Sequence, residues 1–424
     1  MTDTPVPTQS ALRTALAGLI GNVLEWFDFA VYGYFATDIG KQFFTQASAS
    51  DQQFLSYGTF AFGFLARPIG SLVLGRVGDR IGRRALLTLS IALMGGATLI
   101  LGLLPTYNQI GIAAPLLLLL MRIIQGFSLG GEFTGSMVYT TEGSSPLMRG
   151  LVSSSTAAGT TIGFILGSGT AWLVNSSLPA DQVTTWGWRI PFVGSVVFLI
   201  VGYLLRRGII ETAEGLKARM IRPKLLPSLM ADWLPMIQTF GIVAMTNAAY
   251  YLTFVYAVER RKSLATAHGS EFLLANTLTL VVVLLSKPLG GWLSDRIGRR
   301  KQMMALTVVV MALIYPALQM MLYGAPGMFI VGQVLIAVPI GMALGMQGAM
   351  VVEIFPLRSR VTSMSFAYSV TLALAGGTAP MVSKWLIETF GHPLLPAYYI
   401  MLYGLIGLAI MWPMSETNTR RLDE

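Results

Sequence analysis

Long apolar runs, broken by short polar connections, fill the chain from end to end. A helix that crosses a bilayer needs about 20 mostly apolar residues. Twelve runs approach or exceed that length: 14–36, 53–75, 85–104, 113–140, 152–174, 188–206, 232–257, 271–294, 302–323, 327–350, 362–386 and 395–413. They predict an all-α membrane protein of twelve transmembrane helices. The longest polar interruption, Arg207 to Ala231, falls mid-chain and reads as a linker. It divides the chain into a six-helix bundle over 1–206, a cytoplasmic linker over 207–231 and a second six-helix bundle over 232–424.

Composition agrees with this pattern. Of 424 residues, 54% are hydrophobic and only 12% charged, whereas a soluble chain carries roughly a quarter charged residues. Met1 to Ser10 is polar and does not read as a cleavable signal. The absence of cysteine excludes disulfides, thiol catalysis and thiolate metal sites. A net charge of +9 raises the question of nucleic acid, but the basic residues gather in short loops, as the positive-inside bias requires, and no nucleic-acid partner is expected. Twelve spans put both termini on one side. That side holds 20 Lys/Arg against six on the other, which predicts both termini in the cytoplasm.

One pattern is written twice. Gly75-Arg-Val-Gly-Asp79-Arg80-Ile-Gly82-Arg83-Arg84 recurs 216 residues later as Gly291-Trp-Leu-Ser-Asp295-Arg296-Ile-Gly298-Arg299-Arg300. Glu142 with Arg149, and Glu353 with Arg360, form a second pair at similar offset, seven residues apart in each copy. Such a repeat predicts two pseudo-symmetric halves, the plan of many secondary transporters. The motif has a mechanical reading. Glycine lets two helix ends approach closely. The aspartate suits a neighbouring helix N-terminus or an arginine, making a charge-assisted latch.

Charges also fall inside the spans. In the first, Asn22, Glu25, Asp28 and Tyr32 lie within an arc of about 120°. At 1.5 Å per residue, Glu25 and Asp28 lie about 18 and 22 Å beyond Arg13. Carboxylates at that depth need a cavity or a partner. Glu132 lies about 15 Å, and Arg122 about 30 Å, from Glu142, so Arg122 is near the depth of Asp28. Arg67 and Lys287 are internal as well. Asn247, Tyr250 and Tyr251 offer polar groups to line a site. Thr156 to Gly169 suits tight helix packing, Gly376-Gly377-Thr378-Ala379-Pro380 suits a bend, and Trp186 with Trp188 reads as an interfacial aromatic belt.

The doubled loop motif resembles the signature of the major facilitator superfamily, and the resemblance covers essentially the whole chain. More specifically, Gly21-Asn22 to Glu25-Trp26-Phe27-Asp28, Arg67-Pro68-Ile69-Gly70, Arg122 to Gln125-Gly126 to Gly130-Gly131-Glu132, and Trp186-Gly-Trp188-Arg189-Ile-Pro191-Phe look like its metabolite:proton symporter branch. Gln125 to Gly135 and Thr246 to Tyr251 look most like the proline/betaine members. The chain departs from the osmosensory member in ending at Glu424 without a long coiled-coil tail, so gating by such a tail is not expected.

The resemblance implies a proton-coupled symporter of a small carboxylate-bearing or zwitterionic metabolite, working by alternating access as a monomer in a bacterial cytoplasmic membrane. Protons are then the coupling ion, with no cofactor and no metal. Arg67, Arg122 or Lys287 would hold the carboxylate, with Tyr32 and Asn247 as further site groups. Trp26, Tyr250 and Tyr251 would face a quaternary ammonium. Asp28, Glu25 and Glu132 are the proton-carrying candidates, with Arg122 as the partner of Asp28. The alternatives are a di- or tricarboxylate or other organic-acid:proton symporter, and a membrane sensor that does not transport.

Overall fold

The structure is a computed structural model that describes residues 11–81, 83–207, 225–265, 269–357, 359–420 and 422. Within these, the side chains of 11–21, 75–87, 132, 198, 202–203, 205–207 and 225–226 lie outside the described set. The described residues form helices and no strands.

Twelve helical segments correspond to the twelve predicted spans. Eight are long and apolar enough to cross a bilayer outright: α2 (Ala49–Leu74), α4 (Ala113–Glu142), α5 (Pro146–Ser177), α7 (Trp233–Leu264), α8 (Ser270–Ile297), α9 (Arg299–Tyr323), α10 (Pro326–Ile354) and α11 (Arg360–Phe390). A ninth, α6, is the bent pair Ala180–Gly187 and Arg189–Val201. Two are shorter apolar helices, α3 (Thr88–Leu103) and α12 (Leu395–Met411). The remaining one, α1 (Ala11–Tyr34), carries Glu25 and Asp28 in its interior. Large apolar side chains such as Phe62, Ile69, Leu116, Leu204 and Leu285 point outward, as lipid contact requires. The expected bend in α11 is a π-helical turn at Leu372–Gly377, followed by Pro380. A second π-helical turn, Leu252–Tyr256, follows Tyr251 in α7. Such turns occur often at functional sites.

The halves meet along two crossing pairs, α5 with α8 and α2 with α11. Since α8 ends in the second copy of the motif whose first copy directly follows α2, these pairs exchange under the internal pseudo-symmetry. Close approach depends on glycine. A Cβ on Gly291 of α8 would lie 2.3 Å from the Gly150 carbonyl of α5, and one on Gly126 of α4 would lie 1.7 Å from the Gly63 carbonyl of α2. Any side chain there would force the helices apart. The small-residue stretch of α5 behaves the same way, since Gly163 and Gly167 abut the backbone and side chains of α1.

The aromatic-belt expectation is corrected at one position. Trp186 is exposed, but Trp188 is fully buried. It packs against Phe43 and Phe192, and Arg189 lies 4.4 Å over its ring. The bend of α6 turns this ring inward, which an apolar count along the chain does not register.

Candidate functional site

A small central cavity of about 30 Å³ lies between the halves. Its wall holds six aromatic side chains, Trp26, Phe133, Phe164, Tyr250, Tyr251 and Tyr368. Their rings are in mutual contact: Trp26 to Phe133 at 5.8 Å, Trp26 to Phe164 at 6.0 Å, Phe164 to Tyr250 at 5.0 Å and Phe133 to Tyr368 at 5.6 Å between centroids. The polar part of the wall is Thr160, Asn247, Gln347 and the ammonium of Lys287. Trp26 Nε1 and the Tyr251 hydroxyl are buried there without a hydrogen-bond partner. Unpaired buried donors are costly, so they suit a ligand that supplies acceptors.

Of the expected site residues, Trp26, Asn247, Tyr250, Tyr251 and Lys287 therefore come together around one cavity. The two arginines do something different. Arg67 Nη2 donates to Glu25 Oε1 at 2.7 Å, with the guanidinium 5.5 Å from the Trp26 ring, while its Nε and Nη1 have no partner. Arg122 lies deeper in the first half. Its Nη1 donates to Asp28 Oδ2 at 2.7 Å and to Gln125 Oε1 at 2.8 Å, and its guanidinium sits 3.8 Å over the Tyr32 ring. Gln125 in turn donates to Asp28 Oδ1 and to Thr98. Asp28, Arg122 and Tyr32 are all fully buried and do not line the cavity. The match in depth between Asp28 and Arg122 thus becomes a direct ion pair. The side chain of Glu132 lies outside the described residues.

On the side of the bundle that holds the C-terminus, the second copy of the repeated motif is assembled. Asp295 accepts hydrogen bonds from the backbone N–H of Gly150 at 2.8 Å and of Leu151 at 3.0 Å, at the N-terminal end of the helix Arg149–Ser177 in the other half. Arg299 bridges Asp295 and Glu353, with both Glu353 oxygens engaged at 2.6 and 2.8 Å. Arg360 joins Glu142 across the halves at 2.6 Å, and Arg149 stands 4.0 Å from Glu353. Arg296 stacks on Trp292 at 3.8 Å, and the Arg300 backbone N–H donates to Glu416. The first copy, Gly75, Asp79, Arg80, Arg83 and Arg84, lies on a helical backbone with side chains outside the described set.

The opposite side is joined as well, through residues that sequence reasoning did not single out for this role. The α7 helix continues to Leu264, so Glu259 and Lys262 belong to the helix rather than to an outer loop. Lys262 pairs with Glu259 at 2.9 Å and donates to the Tyr34 carbonyl at 2.9 Å, while Asp38 lies 3.6 Å away. Asn276 donates to the Tyr34 hydroxyl and to Ser168 Oγ, and Gln333 donates to Asn276. The available signal was the opposite charge of Glu259 and Lys262 at a spacing of three. Among the described residues, the halves thus make contact on both sides of the cavity.

Two six-helix halves around a central cavity, with separate contacts on each face, define an integral membrane transporter built for alternating access. Comparison with known proteins gives the family. Residues 14–213 match the family described as sugar (and other) transporter, and residues 239–422 match the major facilitator superfamily. The proline/betaine transporter of Salmonella typhimurium is 33% identical over 99% of this chain and 87% of its own length. The citrate-proton symporter of Klebsiella pneumoniae is 36% identical over 92% of this chain and 88% of its own. Among solved structures, a D-xylose-proton symporter superposes with a TM-score of 0.74 at 19% identity, covering 97% of this chain and 99% of that one. The chain belongs to the major facilitator superfamily.

Proposed function

We propose that the protein is a proton-coupled secondary active symporter that imports a small carboxylate-bearing or zwitterionic metabolite of the proline/betaine kind. The observation that carries this reading is the cavity wall: six aromatic rings and a single ammonium. Aromatic faces attract a quaternary or secondary ammonium, and Lys287 suits one carboxylate. A tricarboxylate would bring three charges to Lys287, the one cation of the wall among the described residues, since Arg67 and Arg122 are each committed to an acid. The similarity to proline/betaine transporters supports the zwitterion, and that to citrate-proton symporters supports the organic-acid alternative.

Asp28 is the proposed coupling acid. Arginine nearby favours the carboxylate, and separation from it favours the protonated form. A local rearrangement within the first half that loosens the Arg122 contact during the cycle would load Asp28 with a proton, and re-forming the contact would release it. Residues 1–206 and 232–424 are the two rocking bodies, with 207–231 as the linker. The protein works as a monomer in a bacterial cytoplasmic membrane with both termini inside. The test uses proteoliposomes with an acidic exterior and radiolabelled proline, glycine betaine or citrate. Accumulation of a zwitterion that a protonophore abolishes is the expected result. Accumulation driven by sodium alone, with no response to pH, overturns proton coupling, and accumulation of citrate alone favours the organic-acid reading.

A further inference from the structure

Lys287 has a bonding pattern that substrate recognition does not require. It is 1% exposed, and no described carboxylate lies within ion-pair distance. Its ammonium instead donates to the Ala157 carbonyl and, at 3.1 Å, to Thr160 Oγ1. Both oxygens belong to α5, in the opposite half, and all three residues border the cavity. A buried ammonium must be satisfied by something. Here two neutral oxygens of the protein do so while the cytoplasmic and outer contacts are both made.

We propose that Lys287 is a positioning residue for the return of the unloaded carrier. This rests on the reading of the protein as a carrier for a carboxylate-bearing molecule. A symporter must reorient twice per cycle, once loaded and once unloaded. In the loaded step the substrate carboxylate engages the ammonium. A carboxylate is a stronger acceptor than a neutral carbonyl or hydroxyl, so it displaces the α5 oxygens. In the unloaded step the Ala157 carbonyl and Thr160 hydroxyl stand in for that carboxylate. The cavity then closes without leaving an unsatisfied charge between the halves.

The test is a double-mutant cycle without substrate. The chain has no cysteine, so single reporters are clean. Ser153→Cys and Ser383→Cys replace buried hydroxyls that have no partner, on the cytoplasmic and outer parts of the bundle. Thr160→Val keeps the shape and removes one acceptor. It should raise maleimide labelling of at least one reporter about tenfold, the effect of one hydrogen bond to a charged group. Thr160→Ser should restore the original rate. In the Lys287→Met background, Thr160→Val should add nothing. An equal increment in that background, or no increment in the original protein, overturns the proposal. For any substrate that the parent protein accumulates, Thr160→Val should lower net uptake relative to exchange, because only net uptake needs the unloaded return. Equal loss of both would also overturn it. If the parent protein accumulates none of the probes, the symport reading fails, while the labelling cycle still decides the anchor.

Discussion

Asp295→Asn is a direct probe of the proposed latch. The Asp295 carboxylate accepts two backbone N–H groups at the start of the helix Arg149–Ser177, at 2.8 and 3.0 Å, and pairs with Arg299 at 3.0 Å. Asparagine keeps one carbonyl acceptor but turns an amide toward the second N–H. One charge-assisted hydrogen bond is lost, about 1.5–3 kcal/mol. The loss of negative charge at a helix N-terminus costs a further ~0.3–1 kcal/mol. Arg299 keeps Glu353, so that pair offsets nothing and loses little. A net shift of about 2 kcal/mol against closure at this face follows, about thirtyfold in the equilibrium between closed and open. The bonds cross between the halves, so their loss should act on closure more than on folding. The assay is the maleimide labelling rate of a single cysteine at Ser153, a buried α5 position on the cavity side of Gly150. The rate should rise at least tenfold while the melting temperature of the detergent-solubilised protein moves by only a few degrees. An unchanged rate in a folded Asp295→Asn protein would refute the latch.

Asp28→Asn mimics the protonated acid, so exchange of substrate between two sides should persist while gradient-driven accumulation is lost; accumulation with the parental pH dependence would exclude Asp28 as the coupling group. Arg122→Ala strands a fully buried carboxylate, so it should destabilise the protein by about 3–5 kcal/mol, read as a lowered thermal midpoint, and Asp28→Asn in the same chain should recover part of it. Trp26→Ala removes an aromatic wall of the cavity, and the KM for a betaine should rise about 3- to 30-fold, the range of one cation–π contact, with a smaller change for a citrate-like probe.

Much of the architecture was legible along the chain. The number of spans follows from apolar length against bilayer thickness, a one-dimensional quantity. The doubled Asp-Arg-x-Gly-Arg-Arg motif announced two equivalent halves, and its reading as an acid seated at a helix N-terminus is what Asp295 does on Gly150 and Leu151. Depth along a helix was also readable, since each residue rises a fixed distance; that is why Asp28 and Arg122 were expected at one level. Rotation about the helix axis and the choice of neighbour were not. Depth alone left Arg67, Arg122 and Lys287 equivalent as carboxylate ligands. Packing commits Arg67 to Glu25 and Arg122 to Asp28, and leaves Lys287 facing the aromatic wall. Phe133, Phe164, Gln347 and Tyr368 looked like ordinary apolar or polar span residues until α4, α5, α10 and α11 were brought around one space. Trp188 turned inward for the same reason, because the bend in α6 is a property of the packed helix. Hydrophobic length and repeated motifs are local, so the spans and the paired halves could be read along the chain. The cavity lining, the ion-pair partners and the contacts of Lys262 join residues far apart in the chain, and they exist only once the helices pack.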